Sequence, residues 1–256
     1  MVGGRDRNEI PDAAPASFEI RVVPDAAALA EAAAREFARA ARDAIADRGI
    51  FRVVLAGGST PRALYGRLAR RPYRRSIAWD RIRFFWGDER CVPADDERSN
   101  YRMARETLLA PLRIPARRVF RMEGERVPAA AARAYEDALR GEFRPRPVRF
   151  DLILLGLGED GHTASLFPGT RALGQRRRLA AANFVPKFGE WRITMTYGAI
   201  NAARRIVFLV SGGKKAAAAG KILKKRRGYE ELPASGVAPR RGTLLWLLDE
   251  AAASKL

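Results

Sequence analysis

Apolar residues fall along the chain in two alternating patterns. Residues 25–47 (DAAALAEAAAREFARAARDAIAD) repeat apolar positions at helical spacing, which places Leu29, Ala33, Phe37 and Ala41 near one face, with Asp25 as the N-cap. Residues 51–56 then form a short β-branched apolar run, which predicts a buried strand. It stops at Gly57-Gly58, and a helix is expected to follow, with Thr60 as N-cap and Pro61 in its first turn. The alternation recurs: a strand over 82–86 that ends in a turn at 87–90, a helix from Ser99 to about Leu109, a short strand near 119–122, and an Ala-rich helix over about 129–140. Residues 150–155 make the most strongly apolar strand. Beyond them the pattern predicts a strand near 191–196, a short helix near 197–203, a strand over 206–210, a helix over 214–226 and a closing strand over 244–248. Strands apolar throughout, alternating with amphipathic helices, imply a mostly parallel α/β sheet with helices on both faces. The Pro-rich stretch 141–149 is too short to be more than a loop. One domain over 16–256 is expected, with room for a small subdomain, behind a frayed N-terminus over 1–15.

Composition changes this picture little. Hydrophobic residues make up 47% of the 256, enough apolar surface to offset chain entropy and exclude a wholly disordered chain. One Cys excludes an intrachain disulfide scaffold. No segment reaches the roughly 18 consecutive apolar residues of a membrane helix. The first residues carry acids and no apolar h-region, so neither a signal nor a transit peptide is predicted, and a reducing, cytoplasmic location is expected.

The charge is less ordinary. Lys plus Arg number 48 against 29 Asp plus Glu, a net charge of +19, and 41 of the basic residues are Arg. The basic runs, at 70–71, 74–75, 176–178 and 224–227, are short and scattered. No aromatic residues interleave with them as a single-strand stacking platform requires. They read as a solvated surface, beside an Ala content that points to GC-rich codons, and no nucleic-acid partner is expected.

Candidate chemistry sits where apolar strands end in glycine turns, because open α/β sheets bind ligands outside the carboxyl ends of their strands. Gly57-Gly58-Ser59-Thr60-Pro61 offers close backbone approach, two hydroxyls and a helix N-terminus to an anion, without the spacing of a Walker loop or a dinucleotide fingerprint. Read alone, it is equally a tight turn with a cap. His162, the single histidine, sits in Gly156-Leu157-Gly158-Glu159-Asp160-Gly161-His162 after the most apolar strand. Imidazole, with an ordinary pKa of about 6.5, suits acid–base work near neutrality. Asp160 either orients the ring or holds the turn through its own backbone. A lone His with no Cys cluster argues against a structural zinc site. Ser211-Gly212-Gly213-Lys214-Lys215 puts two cations at a helix start, against the helix dipole, which points to an anionic ligand or to solvated lysines. Arg192 alternates with apolar residues in a strand pattern aimed at the same edge.

Together these segments resemble a known family. LAGGSTPRALYGRLA, FFWGDERCVPADDERSNYRMARETLL, FDLILLGLGEDGHTASLFPG, RITMT and SGGKKA occur in the order found in 6-phosphogluconolactonases, and the resemblance covers roughly residues 20–250. It implies a Rossmann-like domain related to the glucosamine-6-phosphate deaminase/isomerase fold. It also implies hydrolysis of 6-phospho-D-glucono-1,5-lactone to 6-phosphogluconate, the second step of the oxidative pentose phosphate pathway. No cofactor or metal is implied, and the expected partner is the sugar-phosphate lactone, bound by a monomer or small homo-oligomer. By the same resemblance His162 is the catalytic histidine, with Asp160 beside it, and Arg90 of GDER assists at the substrate. Gly57, Gly58, Ser59 and Thr60 form the sugar-phosphate loop, and Arg192 and Lys215 hold the phosphate.

The inventory suits water attack with His162 as base and then acid. A covalent route through Cys91 lacks a histidine-oriented nucleophile pattern. The related amino-sugar-phosphate deaminases follow their Asp-Gly-His with an Asn-Glu pair before Pro-Gly. Here Leu166-Phe167 precede Pro168-Gly169, so the carboxylate of that ring-opening relay is missing. A non-catalytic sugar-phosphate sensor is disfavoured by the intact His162 and GDER segments.

Overall fold

The computed structural model describes residues 17–225 and 228–256. The segment 1–15, expected to be frayed, and the end of the predicted helix 214–226 lie outside the described residues. In chain order the elements are β1 (Ser17–Val23), α1 (Ala26–Arg48), β2 (Phe51–Leu55), α2 (Ser59–Leu68), α3 (Tyr73–Ser76), β3 (Ile82–Trp86), β4 (Asp88–Arg90) and α4 (Asn100–Ala104). They continue through β5 (Val119–Phe120), α5 (Pro128–Phe143), β6 (Leu152–Gly156), β7 (Ala180–Val185), β8 (Glu190–Met195) and α6 (Tyr197–Ile200). The last are β9 (Arg205–Val210), α7 (Ala216–Lys225), β10 (Thr243–Asp249) and α8 (Glu250–Ala253).

Seven strands form a parallel sheet in the order β1-β10-β9-β6-β2-β3-β5. Its central strands are apolar at successive positions because both faces are covered. Val53, Leu55, Leu154, Val207 and Leu247 pack with Leu29 and Phe37 of α1 and Leu64 of α2. Val54, Leu155, Phe208 and Trp246 face the other way, with Tyr135 and Leu139 of α5 and Ile222 of α7. Each fully buried Leu, Ile or Phe contributes about 1.5–3 kcal/mol, so the sheet centre holds the fold together. The predicted α1 stripe is borne out: Leu29, Ala33, Phe37 and Ala41 are all buried, and Asp25 caps Ala28 N at 2.7 Å.

Three local expectations need correction. Residues 88–90, read as part of a turn, are β4, and residues 190–195 do not join the parallel sheet. With β7 they make a separate antiparallel sheet, β4-β8-β7, against which α5 packs. The N-cap of α2 is Gly58, not Thr60, because Gly58 adopts φ +101, a left-handed conformation that glycine takes without a Cβ clash, and the helix starts two residues early. The helix expected from Ser99 to about Leu109 is borne out: Ser99 caps α4, and the helix widens to a π-turn over Arg105–Leu109.

The strand order reverses beside β2. Successive strands β3 and β5 extend to one side of it, while β6, β9 and β10 extend to the other. Crossovers therefore leave in opposite directions from β2 and β6 and open a crevice at their carboxyl ends. Two buried tyrosines close the sheet beneath it. Tyr65 Oη donates to Ala56 O (2.8 Å) and accepts from Ala56 N (2.9 Å), and Tyr135 Oη does the same at Trp86 (2.8 and 3.0 Å). Tyr65→Phe leaves two buried backbone groups unpaired and is expected to cost about 2–4 kcal/mol in urea denaturation; a cost below about 0.5 kcal/mol would contradict this role.

Candidate active site

The crevice is a cavity of about 220 Å³ floored by the ends of β6 and β9. Its walls include Gly57, Gly58, Ser59, Thr60, Arg90, His162 and Lys215, seven of the nine residues singled out from the sequence. The other two stand behind the wall: Asp160 against His162, and Arg192 on β8.

On one side α2 presents its first turn. The leading N–H groups of a helix have no intrahelical acceptor, Gly58 supplies no side-chain cap, and no acid occupies that turn. The result is a positive, donor-rich end suited to an anion. Gly57 is required for a different reason: a Cβ there would lie 1.9 Å from Asn100 Oδ1, whose side chain packs against it.

On the opposite side stands His162. Its Nδ1 is 2.5 Å from Asp160 Oδ1, and Lys187 Nζ donates to Asp160 Oδ2 at 2.8 Å. Partial burial works to raise the Asp160 carboxyl, but the hydrogen bonds from His162 and Lys187 outweigh it and hold it well below the usual carboxylate range. An ionised carboxylate only accepts, so Nδ1 carries the hydrogen and a neutral His162 keeps its lone pair on Nε2. Phe167 stacks on the imidazole with centroids 4.0 Å apart, and Phe188 packs edge-on against Phe167. Gly158 makes room for the ring, since a Cβ would sit 1.9 Å from His162 Nδ1. Ala164, two residues on, holds φ +47, a strained conformation for a residue with a Cβ.

Arg90 is carried on β4 by a buried polar network. Glu89, 2% exposed, accepts from Arg90 N and Asn100 N on Oε1, both at 2.8 Å, and from Tyr101 N (2.8 Å) and Ser99 Oγ (3.1 Å) on Oε2. It thus caps α4 and fixes β4 with one carboxylate. Asp88 accepts from Ser165 Oγ at 2.7 Å and from Asn100 Nδ2 at 3.3 Å, tying β4 to the turn after His162. Arg90 donates through Nη1 to Arg98 O, while its buried Nε has no partner among the described residues. Burial pushes the neighbouring Cys91 thiol up to about 11, which leaves almost no thiolate at neutral pH.

Lys215 reaches the cavity after the Gly212 turn (φ +94), with Nζ 4.0 Å from Glu159. Arg192 is turned elsewhere: it bonds Glu190 at 2.5 Å and lies over the Phe188 ring, directly opposite Arg90 in the strand pairing. Two arginines opposed across strands repel each other, and of this pair only Arg90 lines the cavity. No group of three or more His, Cys, Asp or Glu able to hold a metal ion gathers among the described residues. Asp88, Glu89, Asn100, Ser165 and Lys187 were not singled out from sequence. Asp88, Glu89 and Asn100 lie in the GDER and SNY segments that carried the resemblance, whereas Lys187 carries no such signal.

A family model described as glucosamine-6-phosphate isomerases/6-phosphogluconolactonase matches residues 24–246. The chain belongs to this family. A 6-phosphogluconolactonase of Synechocystis is 43% identical over 217 residues, 83% of this chain and 88% of its own. One from Nostoc is 39% identical over 241 residues, 93% and 98% of the two chains. The solved structure of the Trypanosoma brucei 6-phosphogluconolactonase superimposes with a TM-score of 0.82 at 31% identity, covering 94% of this chain and 99% of that one. The family's Rossmann-like fold is the one described above.

The His162–Asp160 pair has a pH signature. A carboxyl held below its ordinary pKa adds stability that is complete above its unfolded value of about 4 and fades as pH falls through the folded value. Asp160→Asn is expected to cost about 1–2 kcal/mol in urea denaturation at pH 7, and the gap to wild type should narrow steadily below pH 4. A gap independent of pH would contradict the assignment.

Proposed function

We propose that the chain hydrolyses 6-phospho-D-glucono-1,5-lactone to 6-phospho-D-gluconate, with His162 as general base and then general acid. The observation that carries this reading is the pairing of His162 with ionised Asp160, which leaves Nε2 as an acceptor at the wall of a cavity lined by cationic groups. His162 Nε2 takes a proton from water as its oxygen bonds to the lactone carbonyl carbon. The tetrahedral intermediate collapses, the bond to the ring oxygen breaks, and the imidazolium returns the proton to that oxygen. Water is consumed and no other reactant is needed.

The oxyanion requires donors at the carbonyl. Arg90 serves there, since its buried Nε lacks a partner. Lys215 and the first turn of α2, with Gly57, Gly58, Ser59 and Thr60, hold the phosphate, and Arg192 adds positive potential behind Arg90. Binding the remote phosphate fixes the reacting carbonyl near His162. Lys187 is a positioning residue, holding Asp160 against the ring. The deaminase alternative is disfavoured by Phe167: the side chain that stacks on His162 is apolar, where that reaction needs a carboxylate. Among the described residues no helix is long and apolar enough to cross a membrane, and we place the reaction in the cytoplasm.

Lactone hydrolysis, corrected for the spontaneous rate, tests the reading. Wild type is expected to accelerate it strongly; no acceleration would overturn the assignment. His162→Ala should lower kcat about 10²–10⁴-fold with product affinity within a few-fold of wild type, and near-normal turnover would remove His162 from its role. Lys215→Ala should act mainly on KM; a loss confined to kcat would move the phosphate elsewhere.

A further inference from the structure

At the opposite edge of the sheet the chain builds a second, larger recess. It lies at the amino ends of β2, β6 and β9, about 16 Å from the catalytic edge along five-residue strands rising ~3.3 Å per residue. Its volume is about 1240 Å³, and nine arginines line it against a single carboxylate, Asp151.

Part of this charge has a structural explanation. Arg48 pairs with Asp151, and Arg52 with Glu142 at 3.0 Å. Arg48 and Arg144 follow or end helices α1 and α5, where the helix dipole favours a cation. Arg176 donates to Leu173 O and Tyr229 Oη, and four exposed arginines remain. Arg144, Arg146, Arg240 and Arg241 make no side-chain ion pair or hydrogen bond among the described residues. Arg149 spends its donor on the backbone, bonding Arg241 O at 2.7 Å, which joins the 144–149 loop to the 239–241 turn as one wall. Arg204 stands between Arg48 and Arg149, and its buried Nε makes no hydrogen bond but lies 3.5 Å from Asp151 Oδ1, the carboxylate that also pairs with Arg48. Burial, with the charges of Arg48 and Arg149, pulls its guanidinium below the usual arginine range. Unpaired like charges gathered in a recess repel one another, and that cost is relieved when an anion enters.

We propose that this recess binds a compact oligophosphate. Guanidinium groups match phosphate oxygens bidentately, and an excess of unpaired cations calls for several negative charges on one ligand, more than a monophosphate sugar carries. At about 1240 Å³ the recess has more than the volume that a small-molecule ligand needs. Its aromatic members, Phe143 and Tyr197, are buried, so no stacking platform for nucleic-acid bases is presented.

Calorimetric titration of the full chain with inorganic tripolyphosphate in ~0.15 M salt tests this, with ATP in parallel. One saturable site is expected, unaffected by Lys215→Ala or by saturating 6-phosphogluconate. Arg240→Glu/Arg241→Glu should weaken binding at least tenfold while lactone hydrolysis stays unchanged; Arg74→Glu/Arg75→Glu, the same charge change elsewhere, should alter it less than threefold. Equal affinity for ATP identifies the phosphate chain as the recognised group, and tighter ATP binding identifies a nucleotide as its source. The proposal is overturned by an absence of saturable binding, by loss of binding in Lys215→Ala, or by equal weakening in the two charge-reversed pairs.

Discussion

The site depends on the rule that buried polar groups must be paired. Where β2 and β6 send their crossovers in opposite directions, the carboxyl edge of the sheet exposes backbone groups that no neighbouring strand satisfies. The chain meets that demand with side chains. Tyr65 and Tyr135 each take both the donor and the acceptor of a strand-end residue. Glu89 accepts four hydrogen bonds and so joins β4 to α4, and Asp88 joins β4 to the turn that follows His162. Once these are counted, the first turn of α2 and Arg90 Nε are donors left open at the cavity among the described residues, while Trp86 Nε1 is left unpaired in the core. The α2 turn and Arg90 border one cavity, and they are what an anionic substrate would complete.

The same logic places His162. His162 is an isolated imidazole in the sequence, but the fold gives each of its sides a partner. Asp160 takes Nδ1, Phe167 covers one ring face and Gly158 leaves space for the ring. Lys187 then neutralises the far oxygen of Asp160 from the β7–β8 hairpin. Nε2 is left without a partner among the described residues. The proposed reaction would set chemistry on one wall and phosphate binding on another, so that remote binding energy positions the carbonyl.

Much of this was legible in the sequence, for physical reasons. Strands β2, β3, β6, β9 and β10 announce themselves because both faces are buried and successive positions along most of each strand are apolar. The glycine turns mark the carboxyl edge because helix starts and close approaches concentrate there. β4 was hidden because Asp88-Glu89-Arg90 has the polarity of a turn, and only the buried hydrogen-bond network makes it a strand. The start of α2 was misplaced because Thr60 is the better capping side chain, whereas the conformational freedom of Gly58 decided the start. Lys187 could not be foreseen: 27 residues separate it from Asp160, and an exposed lysine in a hairpin carries no signal. The arginines of the second recess come from segments near 48–52, 144–149, 176, 204 and 240–241. In sequence they read as a scattered surface, and only the fold makes them neighbours.

The central claim is that the crevice between β2 and β6 seats a phosphorylated sugar acid with its reacting carbon at His162. A crystal structure with bound 6-phosphogluconate tests it most directly. The account predicts the phosphate within hydrogen-bond reach of Lys215 Nζ and the first turn of α2, and the C1 carboxylate within ~3.5 Å of His162 Nε2. A product bound with its carboxylate turned away from His162, or seated outside this crevice, would contradict it.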